Sequence, residues 1–286
     1  MSIVSAPIPS VHSIAELRRR VGSWRARGER IGFVPTMGAL HEGHFSLVDE
    51  ARRRADRVVV SVFVNPAQFG PSEDFDKYPR TLEADVEKLA SARVDLCFAP
   101  SVEDVYPPGF ATSVKVGGPA ETDLEDRFRP THFAGVAVVV AKLLNQAAAD
   151  VAVFGEKDYQ QLLIIRRLAR DLDISTEIVG APTLRESDGL AMSSRNIYLS
   201  KEERAAAPAL YRALTKAARL IGEGEPIGHV MGEAREDVAA AGFAIDYLEA
   251  RHAETLARIA RRQEGPVRLL VAARIGTTRL IDNIAV

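Results

Sequence analysis

The sequence predicts an α/β protein: a parallel sheet covered by helices over residues 1–184, followed by a smaller α+β domain over 185–286. Three observations predict it. Short β-branched apolar runs alternate with helical patterns through the first two thirds. Three stretches rich in His, Asn, Gln, Lys and Asp each begin where such a run stops. Past Val179 the alternation gives way to Ala-rich helices and then to three successive strands.

The elements follow in order. Runs at 31–36, 57–64, 96–99, 151–154 and 174–179 are rich in apolar and β-branched residues, as expected of strands buried on both faces of a parallel sheet. Helical spacing occupies 14–25, 43–55, 81–92 and 159–171. The run at 136–144 has β-branched residues that favour a strand, but its length, with Lys142 and Asn145, favours a buried helix, and we assign helix. Gly180-Ala181-Pro182 breaks the pattern, and an extended stretch runs to Ser200. Helices at 201–221 and 227–241 come next, separated by the exposed turn Gly222 to Pro226. Strands at 243–250, 267–273 and 278–285 have short links, which favours antiparallel pairing.

Composition narrows the function classes. A hydrophobic content of 47% and a charged content of 27% exclude disorder, and a net charge of -2 leaves no basic footprint for nucleic acid or an anionic membrane. The single Cys97 rules out an intrachain disulfide and a cysteine metal cluster, and its apolar surroundings predict an inert buried thiol. Residues 1–10 lack a basic start or a sustained apolar stretch, and no apolar run reaches membrane-spanning length. The expectation is a cytoplasmic protein.

The 31–36 strand leads into Pro35-Thr36-Met37-Gly38-Ala39-Leu40-His41-Glu42-Gly43-His44 and then a helix. At such a junction free backbone N–H groups and the helix dipole attract phosphate, and Gly38 and Gly43 allow a close approach. His41 and His44 share a helix face and can donate to oxygens that gain charge in nucleotidyl transfer. A lone histidine there would be a packing or capping residue. Zinc ligation is disfavoured, because the second His comes at plus three rather than plus four and no third ligand is near. Lys157 stands just beyond the 151–154 strand and can neutralise phosphate, its alternative being a solvated ion pair with Glu156 and Asp158.

Together with Val64-Asn65-Pro66-Ala67-Gln68-Phe69, Arg129-Pro130-Thr131-His132-Phe133, Gly155-Glu156-Lys157-Asp158-Tyr159-Gln160-Gln161 and Met192-Ser193-Ser194-Arg195-Asn196, this segment resembles the pantothenate synthetase family of the HIGH-motif nucleotidylyltransferases. Five motifs in order cover most of the chain. The resemblance implies a Rossmann-like N-terminal domain with a C-terminal lid domain and a homodimer. It implies that ATP, with Mg2+, is held by Met37, Gly38, Ala39, Leu40, His41, Glu42, Gly43, His44, Gly155, Glu156, Lys157, Asp158, Leu184, Met192, Ser193, Ser194 and Arg195. Pantoate is assigned to Gln68 and Gln161, and β-alanine to Gln68. Arg129, His132 and Tyr78 are placed near the acid or amine site. Among these, His44, His41, Lys157, Ser193, Ser194 and Arg195 are the expected catalytic groups, with His44 the proton donor. Asp85 is the candidate magnesium ligand, its alternative being a solvated helix charge. The 70–76 stretch, with Gly, Pro and charge but little to bury, is expected to be a mobile cover.

The implied reaction is adenylation of pantoate followed by attack of β-alanine's amine. No side chain is placed as a nucleophile paired with a base, so no covalent enzyme intermediate is expected. Two other readings compete: a nucleotidylyltransferase acting on a phosphorylated acceptor, which would need further basic residues, and a nucleotide sensor without turnover. The departures from the family pattern are Phe45, where leucine is common, and Leu184, where valine is usual.

Overall fold

The longer strands of the larger sheet alternate their side chains between two apolar layers, and this period of two sets the architecture. The computed structural model describes residues 8–71, 73 and 75–286. Along the chain come β1 (Ser10–Val11), α1 (Ile14–Arg25), β2 (Ile31–Thr36), α2 (Glu42–Arg54), β3 (Arg57–Val62), α3 (Leu82–Ser91), β4 (Leu96–Phe98) and α4 (Val102–Val105). These are followed by α5 (Glu125–Phe128), α6 (His132–Ala147), β5 (Val151–Gly155), α7 (Tyr159–Asp171) and β6 (Glu177–Ala181). The rest is α8 (Lys201–Ala206), α9 (Ala209–Glu223), α10 (Ile227–Ala240), β7 (Ala244–His252), β8 (Val267–Ile275) and β9 (Thr278–Ala285).

Phe33, Val59, Leu96, Phe98 and Phe154 point to one side, where α1, α6 and α7 cover them. Val34, Val58, Val60, Cys97 and Val153 point to the other, against α2 and α3. The thiol of Cys97 is therefore buried, as expected, and burial pushes its pKa up to about 11. Leu17, Val21 and Trp24 form the buried stripe of α1, and each such side chain contributes about 1.5–3 kcal/mol by leaving water.

The six strands run parallel in the order β1-β4-β3-β2-β5-β6. From β2 the chain builds outward through β3 and β4 on one side and then crosses back to β5 and β6 on the other. The topological switch therefore lies between β2 and β5, where Gly32 is opposite Val151. Beyond the carboxyl ends of strands at such a point lies the crevice in which ligands bind.

The second sheet is antiparallel, in the order β7-β8-β9. One face is packed by α9 and α10 through Leu214, Ile221, Val230 and Val238. Its other face meets the first half of the chain through Tyr247, Leu270 and Ala272 against Leu124 and Leu163.

Three elements differ from expectation. The 201–221 helix is two, because Pro208 has no N–H to continue the ladder and α9 starts after it. The strand expected at 174–179 is shifted to Glu177–Ala181, opposite Val151 to Gly155. The two-residue β1 adds an edge strand beside β4 that no periodicity could announce. The expected cover over 70–76 includes positions 72 and 74, which lie outside the described residues. Among the described residues no helix is long and apolar enough to cross a membrane.

Candidate active site

The turn after β2 is held from below by α3. Asp85 is fully buried, and its carboxylate accepts the backbone N–H groups of Ala39 (2.9 Å) and Leu40 (2.8 Å) and the Thr81 hydroxyl (3.1 Å). Lys88 donates to the Leu40 carbonyl at 2.8 Å. Asp85, expected as a magnesium ligand, has its carboxylate engaged by the loop that carries the histidines, and it does not line the cavity. A Cβ on Gly38, whose φ is +84°, would meet Val62 at 3.0 Å and Asp85 at 3.1 Å.

His41 is the N-cap of α2, and the two imidazoles complete a reciprocal cap. The Gly43 N–H donates to His41 Nδ1 at 3.1 Å, and the His41 N–H donates to His44 Nδ1 at 3.3 Å. With both Nδ1 lone pairs occupied, each neutral ring carries its proton on Nε2. Burial, and then the positive charge of Lys157, lowers the pKa of His41 to about 4. Burial, reinforced by His41 and Lys157, lowers that of His44 to about 3. A Cβ at position 43 would lie 2.8 Å from the His41 ring, so glycine there protects the cap.

The segment after β3 is fixed by Asn65. Its amide donates to Gln68 Oε1 (3.0 Å) and to the Gly135 carbonyl (3.2 Å), while its Oδ1 accepts from the Tyr106 hydroxyl (2.7 Å). α6 approaches so closely that a Cβ on Gly135 would stand 2.0 Å from the Ala67 carbonyl oxygen.

The segment after β5 is supported from the second sheet. Asn283 of β9 donates to the carbonyls of Glu156 (2.9 Å) and Lys157 (2.8 Å). Arg268 of β8 donates to Asn283 Oδ1 at 2.7 Å and pairs with Glu156 at 3.2 Å. Glu156 therefore ties the two halves together and does not face the pocket, contrary to its expected place around ATP.

Met192-Ser193-Ser194-Arg195 closes the far side. Ser193 Oγ accepts the Arg195 N–H at 3.3 Å, and the Tyr78 hydroxyl lies 3.4 Å from Ser194 Oγ.

These segments enclose a cavity of about 240 Å³ at the switch point. Of the expected site residues, Met37, His41, Gly43, His44, Gln68, Gly155, Lys157, Asp158, Gln161, Leu184, Met192, Ser193, Ser194 and Arg195 line it. Gly38, Ala39, Leu40, Glu42 and Glu156 do not: Ala39 and Leu40 donate to Asp85, and Glu42 is exposed. Sequence reasoning missed the apolar wall made by Phe63, Val136, Val139 and Leu143, because their apolar character reads as core. It also missed Thr183, whose buried hydroxyl has no hydrogen-bond partner among the described residues.

The pantoate-β-alanine ligase family profile matches residues 9–285. A pantothenate synthetase of Rhodopseudomonas palustris strain BisA53 is 58% identical over 274 residues, covering 96% of this chain and 97% of the relative. One from strain CGA009 of that species is 56% identical over 283 residues, covering 99% of this chain and all of the relative. Among solved structures, pantothenate synthetase of Thermus thermophilus superposes with a TM-score of 0.92 at 50% identity, covering 97% of this chain and 99% of its own. Pantoate-β-alanine ligase of Francisella tularensis, solved with β-γ ATP and β-alanine, gives 0.81 at 34% identity and 97% coverage of each chain. A likeness this complete, laid over a switch-point cleft assembled from the same stretches that carry the motifs, means that the chain belongs to the pantoate-β-alanine ligase family.

Proposed function

We infer that this chain condenses pantoate with β-alanine, converting ATP to AMP and pyrophosphate through a pantoyl-adenylate intermediate. The observation that carries the reading is the convergence of the histidine pair, Lys157 and Ser193-Ser194-Arg195 on one cavity that also has an apolar wall. The Nε2–H groups of neutral His41 and His44, with Lys157, Ser193, Ser194 and Arg195, suit the oxygens of a triphosphate. The amides of Gln68 and Gln161, beside Phe63, Val136, Val139 and Leu143, suit an acid that combines a carboxylate and a hydroxyl with a branched hydrocarbon body.

In the first step a pantoate carboxylate oxygen attacks the α-phosphorus and pyrophosphate leaves. In the second, the β-alanine amine attacks the acyl carbon, AMP leaves and the nitrogen loses a proton. In the ligand-free protein burial and Lys157 keep both rings neutral, so they meet the nucleotide as Nε2–H hydrogen-bond donors. ATP enters as its magnesium complex, the ion partly neutralising the triphosphate. Magnesium keeps most of its waters and takes few protein ligands, so an ion carried in by the nucleotide needs no dedicated cage. We extend the proposal to a cytoplasmic homodimer with units at 1–184 and 185–286, the second covering the nucleotide.

AMP release that requires both pantoate and β-alanine tests the reaction; AMP formed without β-alanine, or none at all, refutes it. Replacing His44 by Ala should slow single-turnover adenylation by about 10²–10³ with ATP affinity little changed. An unchanged adenylation rate would remove His44 from the transition state.

A further inference from the structure

Arg129 lines both the 240 Å³ cavity and a neighbouring one of about 500 Å³ between the two halves, whereas Glu73 lines only the larger. The Arg129 guanidinium presents its Nε and Nη2 edge to Glu73, both bonds 2.7 Å long, in the two-pronged geometry that suits a carboxylate best. Its Nη1 donates to His132 Nε2 at 3.1 Å, and His132 Nδ1–H donates to the Gln68 carbonyl at 2.9 Å. Arg129 is thus oriented by a neutral His132, whose pKa burial lowers to about 4, and it is tied directly to the Gln68 segment of the acid site.

Among the described residues, Glu73 itself has no comparable anchoring. It sits in an irregular segment with Gly70 and Pro71, and its polar partners other than Arg129 are local, such as the N–H to Gly70 carbonyl bond at 3.0 Å. We propose that Glu73 is a tethered stand-in for the carboxylate of β-alanine, occupying Arg129 while the amine site is empty and exchanging with the substrate when it arrives. This rests on the reading above that β-alanine is the second substrate.

The exchange keeps the charge count constant. Arg129 and Glu73 are each about one-fifth exposed, and without Glu73 the guanidinium would keep only the Glu125 carboxylate, 3.9 Å from its Nη1 and already bonded by Arg279. Burial works against a charge on Glu73, yet the Arg129 guanidinium holds its carboxyl below the usual range. A substrate carboxylate takes over the same two donors, and the amine two carbons away is then directed toward the cavity lined by Gln68 and His132. The occupant has a kinetic signature: affinity for β-alanine is reduced by the fraction of time that Arg129 is free.

The test compares wild type with Glu73→Gln and Glu73→Asp in steady-state assays with β-alanine and with ethylamine, which is β-alanine without its carboxylate. Glu73→Gln should lower the KM for β-alanine about fivefold, with kcat and the KM values for ATP and pantoate within about twofold of wild type. Pyrophosphate release from ATP and pantoate alone should be unchanged, and kcat/KM for ethylamine should be the same in both proteins. Glu73→Asp, with its shorter reach, should fall between, and it serves alone if the amide variant does not fold. An unmoved or raised β-alanine KM, or an equal gain with ethylamine, overturns the proposal. A rise with both amines would make Glu73 the partner of the ammonium group instead. Absence of β-alanine-dependent AMP release by the wild type strikes the functional reading, whereas normal turnover with an unmoved KM strikes only the role of Glu73.

Discussion

His41, His44 and His132 all have pKa values well below the ordinary imidazole value of 6.5, with burial as the first cause in each. The native chain therefore refuses protons that the unfolded chain accepts between pH 6.5 and about 4. Unfolding releases the rings to take them up, so stability is lost as the pH falls through that window. Calorimetric melting at about pH 7 and about pH 5 should show this loss, and a His132→Gln variant should lose less. Lowered carboxylates such as Glu73 act only below their ordinary value of 4.5, so they do not mask the effect. The kcat/KM for ATP, which reports the free enzyme, should lack an acid limb near the ordinary imidazole value of 6.5; such a limb would sink the neutral-ring assignment of the free protein. The histidine pair was legible because its spacing and its place after a strand are local facts. The hold of Asp85 on the loop was not legible, because a carboxylate on a helix gives no sign of whether it faces solvent or a turn 45 residues earlier in the chain.

At the level of elements, α6 and the Asn65 segment meet backbone to backbone at Gly135. Gly135→Ala should cost about 1–3 kcal/mol in denaturant unfolding, because the methyl cannot enter without moving the turn that carries Gln68. Raised KM for pantoate should accompany it, and a variant with wild-type stability and KM would show that the contact relaxes freely. The strands and long helices were legible from their periodicity. The α8 and α9 break was written in Pro208 and overlooked inside an Ala-rich stretch. β1 was not legible at all, since two residues have no period and pair only because β4 lies beside them.

Across the whole molecule, the halves are clamped by Glu125 of α5. It receives two bonds from Arg279 at 2.8 Å and one from the Tyr247 hydroxyl at 2.8 Å, while Arg279 also pairs with Asp246 at 2.6 Å. Glu125→Gln should destabilise by about 3–5 kcal/mol by leaving Arg279 undercompensated, and the double variant with Arg279→Met should recover much of that loss. Equal stabilities of the single variant and the wild type would show the clamp to be dispensable. None of this could be read from the sequence, where Glu125 and Arg279 are two charges in distant, unremarkable stretches.

The pairing of Gly32 with Val151 has a further meaning for biogenesis. A chain still emerging from the ribosome can fold β2, β3 and β4 into a partial sheet, yet it has only one lip of the crevice until β5 has been synthesised and inserted alongside β2. Nascent polypeptides ending before that strand should therefore carry the histidine signature and fail to retain nucleotide.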